Sequence, residues 1–177
     1  MSEAINYSYA YTDAQMSVGH SLSPIKSIQG FTDNRPIKQD LTLRKTICDL
    51  EKSVLGLENS YDDTDTEALP LTHHFAPDVY GREMLLPVGN VVVGKLHRHA
   101  HLNVILKGKV RVTTEEGTTD YTAPHIFTSF SGTKRAVYVL EETIWLTIHP
   151  TDKETLEEIE DYVIAKTYDD LNRIESK

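Results

Sequence analysis

Short apolar runs separated by turn residues dominate the chain between residues 68 and 150. Dipeptides such as Lys107-Gly108 and Glu116-Gly117 are typical of turns, and the runs between them are rich in β-branched and aromatic residues. The strands predicted on this basis cover residues 83–86, 90–95, 101–107, 109–114, 118–122, 125–129, 136–140 and 143–149. Short strands at this spacing predict a mainly β protein with an antiparallel sandwich or barrel.

Helical patterns flank this β-rich region on both sides. From Asp40 to Leu57, apolar residues recur at helical spacing, as expected of a helix that buries one face. Thr151 and Glu154 have the spacing of a capping box, which predicts that a C-terminal helix begins there. The predicted division is an N-terminal arm, helix and acidic linker over 1–67, a β-barrel over 68–150 and a C-terminal helix over 151–177.

Residues 1–35 are polar and show little apolar periodicity. They predict a partly ordered arm, because so few apolar residues cannot form a core of their own. If the arm is ordered, we expect it to pack on a neighbouring subunit. This arrangement favours a homo-oligomer.

The composition argues against several classes of partner. A net charge of −9 is unsuited to holding nucleic-acid phosphates. No apolar run approaches the roughly 18 residues of a membrane span, and the first ten residues lack the pattern of a signal peptide. Cys48 is the single cysteine and suits a reducing compartment, so we expect a cytoplasmic protein.

Three histidines, His97, His99 and His101, occupy every second position just before and at the start of the predicted strand 101–107. Alternate strand residues point to one face, so these imidazoles would converge inside a barrel. Neutral imidazole is a good ligand for Zn, Fe, Ni or Mn, and a metal would satisfy ring nitrogens that are otherwise costly to bury. The alternative is a surface strand with solvated histidines. The pattern favours a site for a divalent transition metal.

The stretch from Gly94 to Val112 resembles the first motif of the cupin superfamily, with its glycine, its His-x-His pair and its apolar strand ending in glycine. The resemblance implies a single cupin-like antiparallel β-barrel, a jelly roll, with one metal ion in its mouth. Two registers for the family's usual Glu ligand stay open. Counting back from Gly108 places His101 there, with His97 and Lys95 before it. Counting forward from His97 and His99 places Asn103 there.

The second cupin motif, Pro-x-Gly-x-x-His, has its best counterpart in residues 130–135, where Arg135 replaces the histidine. A guanidinium cannot coordinate a metal, but it binds anionic ligands bidentately, so Arg135 is a candidate for substrate binding. His125 is a further metal-ligand candidate from a facing strand. Arg82 and Tyr138 are candidates for substrate binding, with a surface ion pair and core packing as their respective alternatives.

The histidine that ends the last predicted strand, His149, is expected to be structural. More narrowly, residues 71–150 resemble small cupin-like proteins of tailed bacteriophages and prophages, in motifs such as Leu-Thr-His-His-Phe-Ala-Pro and Ile-Trp-Leu-Thr-Ile-His. This resemblance implies a phage origin and the host cytoplasm, and it assigns no reaction. The function expected is a metal site that binds or transforms a small polar or anionic molecule. The alternative is a non-catalytic oligomeric protein for ligand binding or phage assembly.

Overall fold

A computed structural model of the chain describes residues 41–58, 60 and 67–172. The predicted arm and most of the acidic linker lie outside the described residues. The elements in chain order are α1 (Leu41–Leu55), β1 (Leu71–Ala76), β2 (Val79–Leu86), β3 (Val91–Val93), β4 (Leu96–His97), β5 (His101–Thr114), β6 (Gly117–Thr122), β7 (His125–Ser129), β8 (Arg135–Pro150), α2 (Leu156–Val163), β9 (Ile164–Ala165) and α3 (Tyr168–Asn172).

The strands pair antiparallel throughout the described chain. The larger sheet has the order β1-β2-β8-β5-β6, with β3 added to β8 and β7 added to β5. The short strands β4 and β9 form a separate pair. The prediction of a mainly β, antiparallel jelly roll with helices on both sides is confirmed. In the described residues the strand pairs do not close the sheet into a complete barrel.

Gly108 bends a strand that the sequence divides into two. The predicted strands 101–107 and 109–114 form the single strand β5, and the predicted turn between them is wrong. Gly108 has φ +85, and the pairing of β5 with β8 shifts register around it, which is the signature of a bulge. A Cβ at this position would overlap the carbonyl oxygen of Glu142, so only glycine lets β8 pass so closely.

The inner face of the sheet changes from apolar to polar towards one end. At the apolar end, Trp145 on β8 pairs with Met84 on β2 and with Ile105 on β5. Trp145 and Ile105 belong to the main hydrophobic core, and the partly buried Met84 packs against it. Two residues further along β8, Thr147 lies between Arg82 and Asn103. Alternate strand residues share a face, so His149, the next inward residue of β8, also lies at this polar end.

The helices pack on the sheet through few apolar residues. In α1 the predicted apolar stripe is buried only at Ile47, whereas Leu50 and Leu57 are exposed. The helix α2 is capped by Thr155 and Glu158, so the predicted cap at Thr151 is wrong. Thr151 is instead buried, and its N–H donates to the carbonyl oxygen of Asp78, which keeps the chain extended beyond β8. None of the described helices has the length and apolar character needed to span a membrane.

Candidate metal centre

Three imidazoles meet at the polar end of the sheet, and they belong to His97, His101 and His149. One nitrogen of each ring lies within 4.8 Å of the corresponding nitrogens of the other two. The ring centroids of His97 and His101 are 4.2 Å apart, and those of His101 and His149 are 4.6 Å apart. No carboxylate or thiol belongs to this group among the described residues.

The three histidines come from different parts of the fold. His101 is the first residue of β5, and His149 lies near the end of β8, where it pairs with Tyr80 of β2. His97 comes from β4, which pairs with β9 rather than with the larger sheet. The triad therefore joins two sheet elements to the C-terminal segment.

The predicted row of three histidines on one strand is wrong. The strand β4 ends at His97 and β5 begins at His101, and the residues between them bend. The N–H of Arg98 donates to the carbonyl oxygen of Val163, which ties the bend to α2. His99 is not part of the triad, and its ring packs on Tyr162, with centroids 4.7 Å apart.

The other candidates divide between the site and more distant positions. His125 lies opposite Ile105 at the apolar end and stacks on Tyr121, so the structure does not bring it into the triad. Tyr138 is 45% exposed and lies between the buried residues of β8, on its outer side. Arg82 is close enough to the triad to contribute to the lowered pKa values of His97 and His149.

His149 is expected from the sequence to be structural, but the structure places it in the triad. Along β8 the buried residues alternate from Thr143 through Trp145 and Thr147 to His149. That alternation is readable from the sequence once Trp145 is assigned to the core. The signal for His149 was therefore its shared strand face with Trp145 rather than a local motif.

Arg135 is buried at the polar end of the sheet, beside His101 and Asn103. Its guanidinium donates from Nη2 to His101 Nε2 at 3.0 Å and from Nη1 to Asn103 Oδ1 at 2.8 Å. A guanidinium has no acceptor, so His101 Nε2 carries the lone pair and its Nδ1 carries the proton. That Nδ1 proton is donated to the carbonyl oxygen of His99 at 3.3 Å.

The triad is held in the neutral form. Burial, followed by the guanidinium of Arg135, lowers the pKa of His101 to about 3 and the pKa of His149 to about 4. Burial and then the neighbouring His101 lower the pKa of His97 far below its usual range. All three rings are therefore neutral near pH 7, which is the form that binds metal ions.

The lowered pKa values predict that the metal-free protein loses stability as the pH falls from about 6.5 towards about 4. The unfolded chain protonates its histidines near pH 6.5, whereas the folded chain keeps the triad neutral, so the unfolded state binds more protons in this window. At about pH 5 each of the three histidines should cost roughly 2 kcal/mol of the free energy of unfolding. Urea unfolding in the presence of a chelator, at about pH 6.5 and at about pH 5, measures this loss of stability. His149→Phe should lose roughly 2 kcal/mol less stability over this pH range than the wild type, because one of the three buried imidazoles is gone. An equal loss in the variant and the wild type would contradict the prediction that His149 is held neutral by the fold.

The residues of the triad fit a transition metal on two grounds. His97 Nδ1 and His149 Nδ1 are buried and have no hydrogen-bond partner in the described structure. Buried ring nitrogens without partners are costly, and coordination removes that cost. Three neutral imidazoles with no carboxylate also form a donor set that suits Zn, Ni or Fe better than Mg or Ca.

No protein-family model matches the chain, and no curated protein matches it. Solved structures with a similar fold include the KdgF protein of a Halomonas species, at a TM-score of 0.42 and 14% identity, covering 52% of this chain and 89% of that one. A cupin superfamily protein of Desulfitobacterium hafniense has a TM-score of 0.42 and 15% identity, covering 48% and 78% of the two chains. An RmlC-like cupin of Methanocaldococcus jannaschii, described as a double-stranded β-helix, has a TM-score of 0.42 and 14% identity, covering 55% and 94%.

Proposed function

We propose that this chain binds one divalent transition metal ion through His97, His101 and His149, and that the loaded site holds a small polar or anionic molecule. The observation that carries the proposal is the pair of buried ring nitrogens without partners, on His97 and His149, beside a third neutral imidazole. A hydrogen-bonded polar core would leave no such pair, because buried donors and acceptors are normally satisfied.

The two arginines near the triad would make the site prefer anionic molecules. Arg135 is buried beside His101, and Arg82 lies on the same polar end of the sheet. Guanidinium groups bind carboxylate and phosphate oxygens with directional hydrogen bonds, so they would orient such a group. A metal ion with three protein ligands keeps an open coordination position and acts as a Lewis acid there. We also propose a phage origin for the chain, because residues 71–150 resemble small cupin-like proteins of tailed bacteriophages.

Zinc should bind the chelator-treated protein at a ratio of about one ion per chain, because one triad supplies three ligands. At a free Zn²⁺ concentration of about 100 times Kd, the folded state should gain roughly 2.7 kcal/mol, which raises Tm by about 5–10 °C. Isothermal titration calorimetry and thermal unfolding measure the two effects. Mg²⁺ at the same concentration is the matched control and should leave Tm unchanged. If Zn²⁺, Ni²⁺, Co²⁺ and Mn²⁺ all fail to shift Tm, the proposal is wrong.

A further inference from the structure

Arg135 is a buried cation without a buried anion. Its side chain is 5% exposed, and its hydrogen-bond partners are the neutral groups of His101 and Asn103. No carboxylate of the described residues forms an ion pair with it. Burial lowers the pKa of Arg135 to about 10, so it stays protonated near pH 7. Buried charges in proteins are normally paired, and this one is not paired by the described chain.

The guanidinium of Arg135 also hydrogen-bonds to the lone pair of His101 that a metal ion would need. His101 donates its Nδ1 proton to the carbonyl oxygen of His99, so Nε2 is its one ring nitrogen with a lone pair. That nitrogen accepts the hydrogen bond from Arg135 Nη2. A metal ion and Arg135 therefore compete for the same atom of the triad.

Packing keeps Arg135 at this place. A Cβ on Gly94 would lie 3.0 Å from Cγ of Arg135, so the absent side chain at position 94 makes the space that the arginine fills. Asn103 is fixed in turn by Trp145, whose Nε1 donates to Asn103 Oδ1 at 3.1 Å, and by its own bond to Ser129. When a metal ion takes His101 Nε2, the freed donor of Arg135 stays next to the ion. Two neighbouring buried cations without a counter-charge repel each other strongly.

We infer that the site takes its metal ion together with a small oxyanion, a carboxylate or phosphate group, which accepts the hydrogen bonds that Arg135 gives up. The inference rests on the proposed metal site and adds that the two ligands bind with positive coupling. An oxyanion has several acceptor oxygens, so one group can face both cations and neutralise the repulsion between them. A monatomic anion such as chloride has no such separate acceptors. Coupling between binding sites is reciprocal, so the metal must tighten oxyanion binding by the same factor.

The experiment is a titration of chelator-treated protein with Co²⁺, followed by the visible absorption of the bound ion. Three buffers of equal ionic strength and about pH 7 contain chloride, acetate or inorganic phosphate. We expect Kd for Co²⁺ to be at least about tenfold lower in acetate or phosphate than in chloride, which corresponds to about 1.4 kcal/mol of coupling. The buffer that lowers Kd more, acetate or phosphate, shows whether a carboxylate or a phosphate is the preferred group. Equal affinity in all three buffers overturns the inference.

The variant Arg135→Met provides a second test, because methionine fills similar space without the positive charge and the hydrogen-bond donors. This variant should bind Co²⁺ more tightly than the wild type in chloride and should show no dependence on acetate or phosphate. An anion dependence that persists in Arg135→Met also overturns the inference. The comparison of buffers in the wild-type protein needs no variant, so it decides the question even if Arg135→Met does not fold.

The metal site and its coupling to an oxyanion can be disproved separately by these measurements. If the wild-type protein binds Co²⁺ with one affinity in every buffer, the metal site stands and the coupling to an oxyanion is wrong. If neither the wild type nor folded Arg135→Met binds Co²⁺ in any buffer, the proposed metal site itself is wrong.

Discussion

Replacing His149 by alanine should weaken Zn²⁺ binding by about 100-fold or more. Loss of a residue that merely orients a ligand already costs 10–100-fold in affinity in metal sites, and His149 would be a ligand. Its Nδ1 is buried without a partner, so the substitution removes a nitrogen that no other interaction uses. Competition with a chromophoric chelator measures Kd for the variant and the wild type under the same conditions.

The matched control is His125→Ala, which removes a histidine from the same face of the same sheet. His125 lies opposite Ile105 and stacks on Tyr121 at the apolar end, away from the triad. Its removal should leave Kd for Zn²⁺ within about twofold of the wild-type value, because no ligand is lost. Weaker binding in His125→Ala together with unchanged binding in His149→Ala would mean that the ion is held elsewhere.

Gly108→Ala should reduce the free energy of unfolding by about 4 kcal/mol and Tm by about 8–16 °C. Two effects add at this position. The backbone has φ +85, which costs a residue with a Cβ roughly 1–2 kcal/mol. The new Cβ would also overlap the carbonyl oxygen of Glu142 and a side-chain atom of Thr143, so β5 and β8 must separate. Urea unfolding monitored by circular dichroism gives the change.

Gly89→Ala separates these two effects, because Gly89 has nearly the same φ of +83 but no atom within 4 Å of the added Cβ. It should therefore lose only the backbone contribution of about 1–2 kcal/mol. The difference between the two variants measures the close approach of β8 at the bulge. If both variants lose the same amount, the bulge does not depend on the missing side chain at position 108.

The strand content was predictable because period-two alternation is a local property of the sequence. The error lay in where the strands end. Lys107-Gly108 reads as a turn, but the φ of Gly108 allows a bulge as well as a turn, and only the partner strand decides between them. The same ambiguity concealed the length of β8, which continues from Arg135 to Pro150 through Glu141 and Glu142.

The site was predictable to the extent that its residues follow one another along the chain. His97 and His101 were identified by their spacing, and Arg135 by its position in the second motif. His149 was missed because the alternation it shares with Trp145 shows only that it points inward, whereas its position near the other histidines depends on the pairing of β8 with its neighbours. His99 was included because the bend after His97 is imposed by a hydrogen bond to Val163, about sixty-five positions away along the chain.

The attachment of β4 has a consequence for the rate at which the proposed site would exchange a metal ion. His101 and His149 belong to long strands of the larger sheet, whereas β4 pairs with β9 over only two residues. Beyond that pairing, the backbone around His97 is held by single hydrogen bonds, one from the N–H of Gly132 to the carbonyl oxygen of His97 and one from the N–H of Arg98 to the carbonyl oxygen of Val163. Elements with few backbone bonds open locally at a small fraction of the global unfolding free energy. If these few bonds break together, one proposed ligand is withdrawn while the other two stay in place. The rate of metal dissociation would then depend on local opening at the C-terminal segment, whereas the affinity would depend on the sheet that positions the other two ligands.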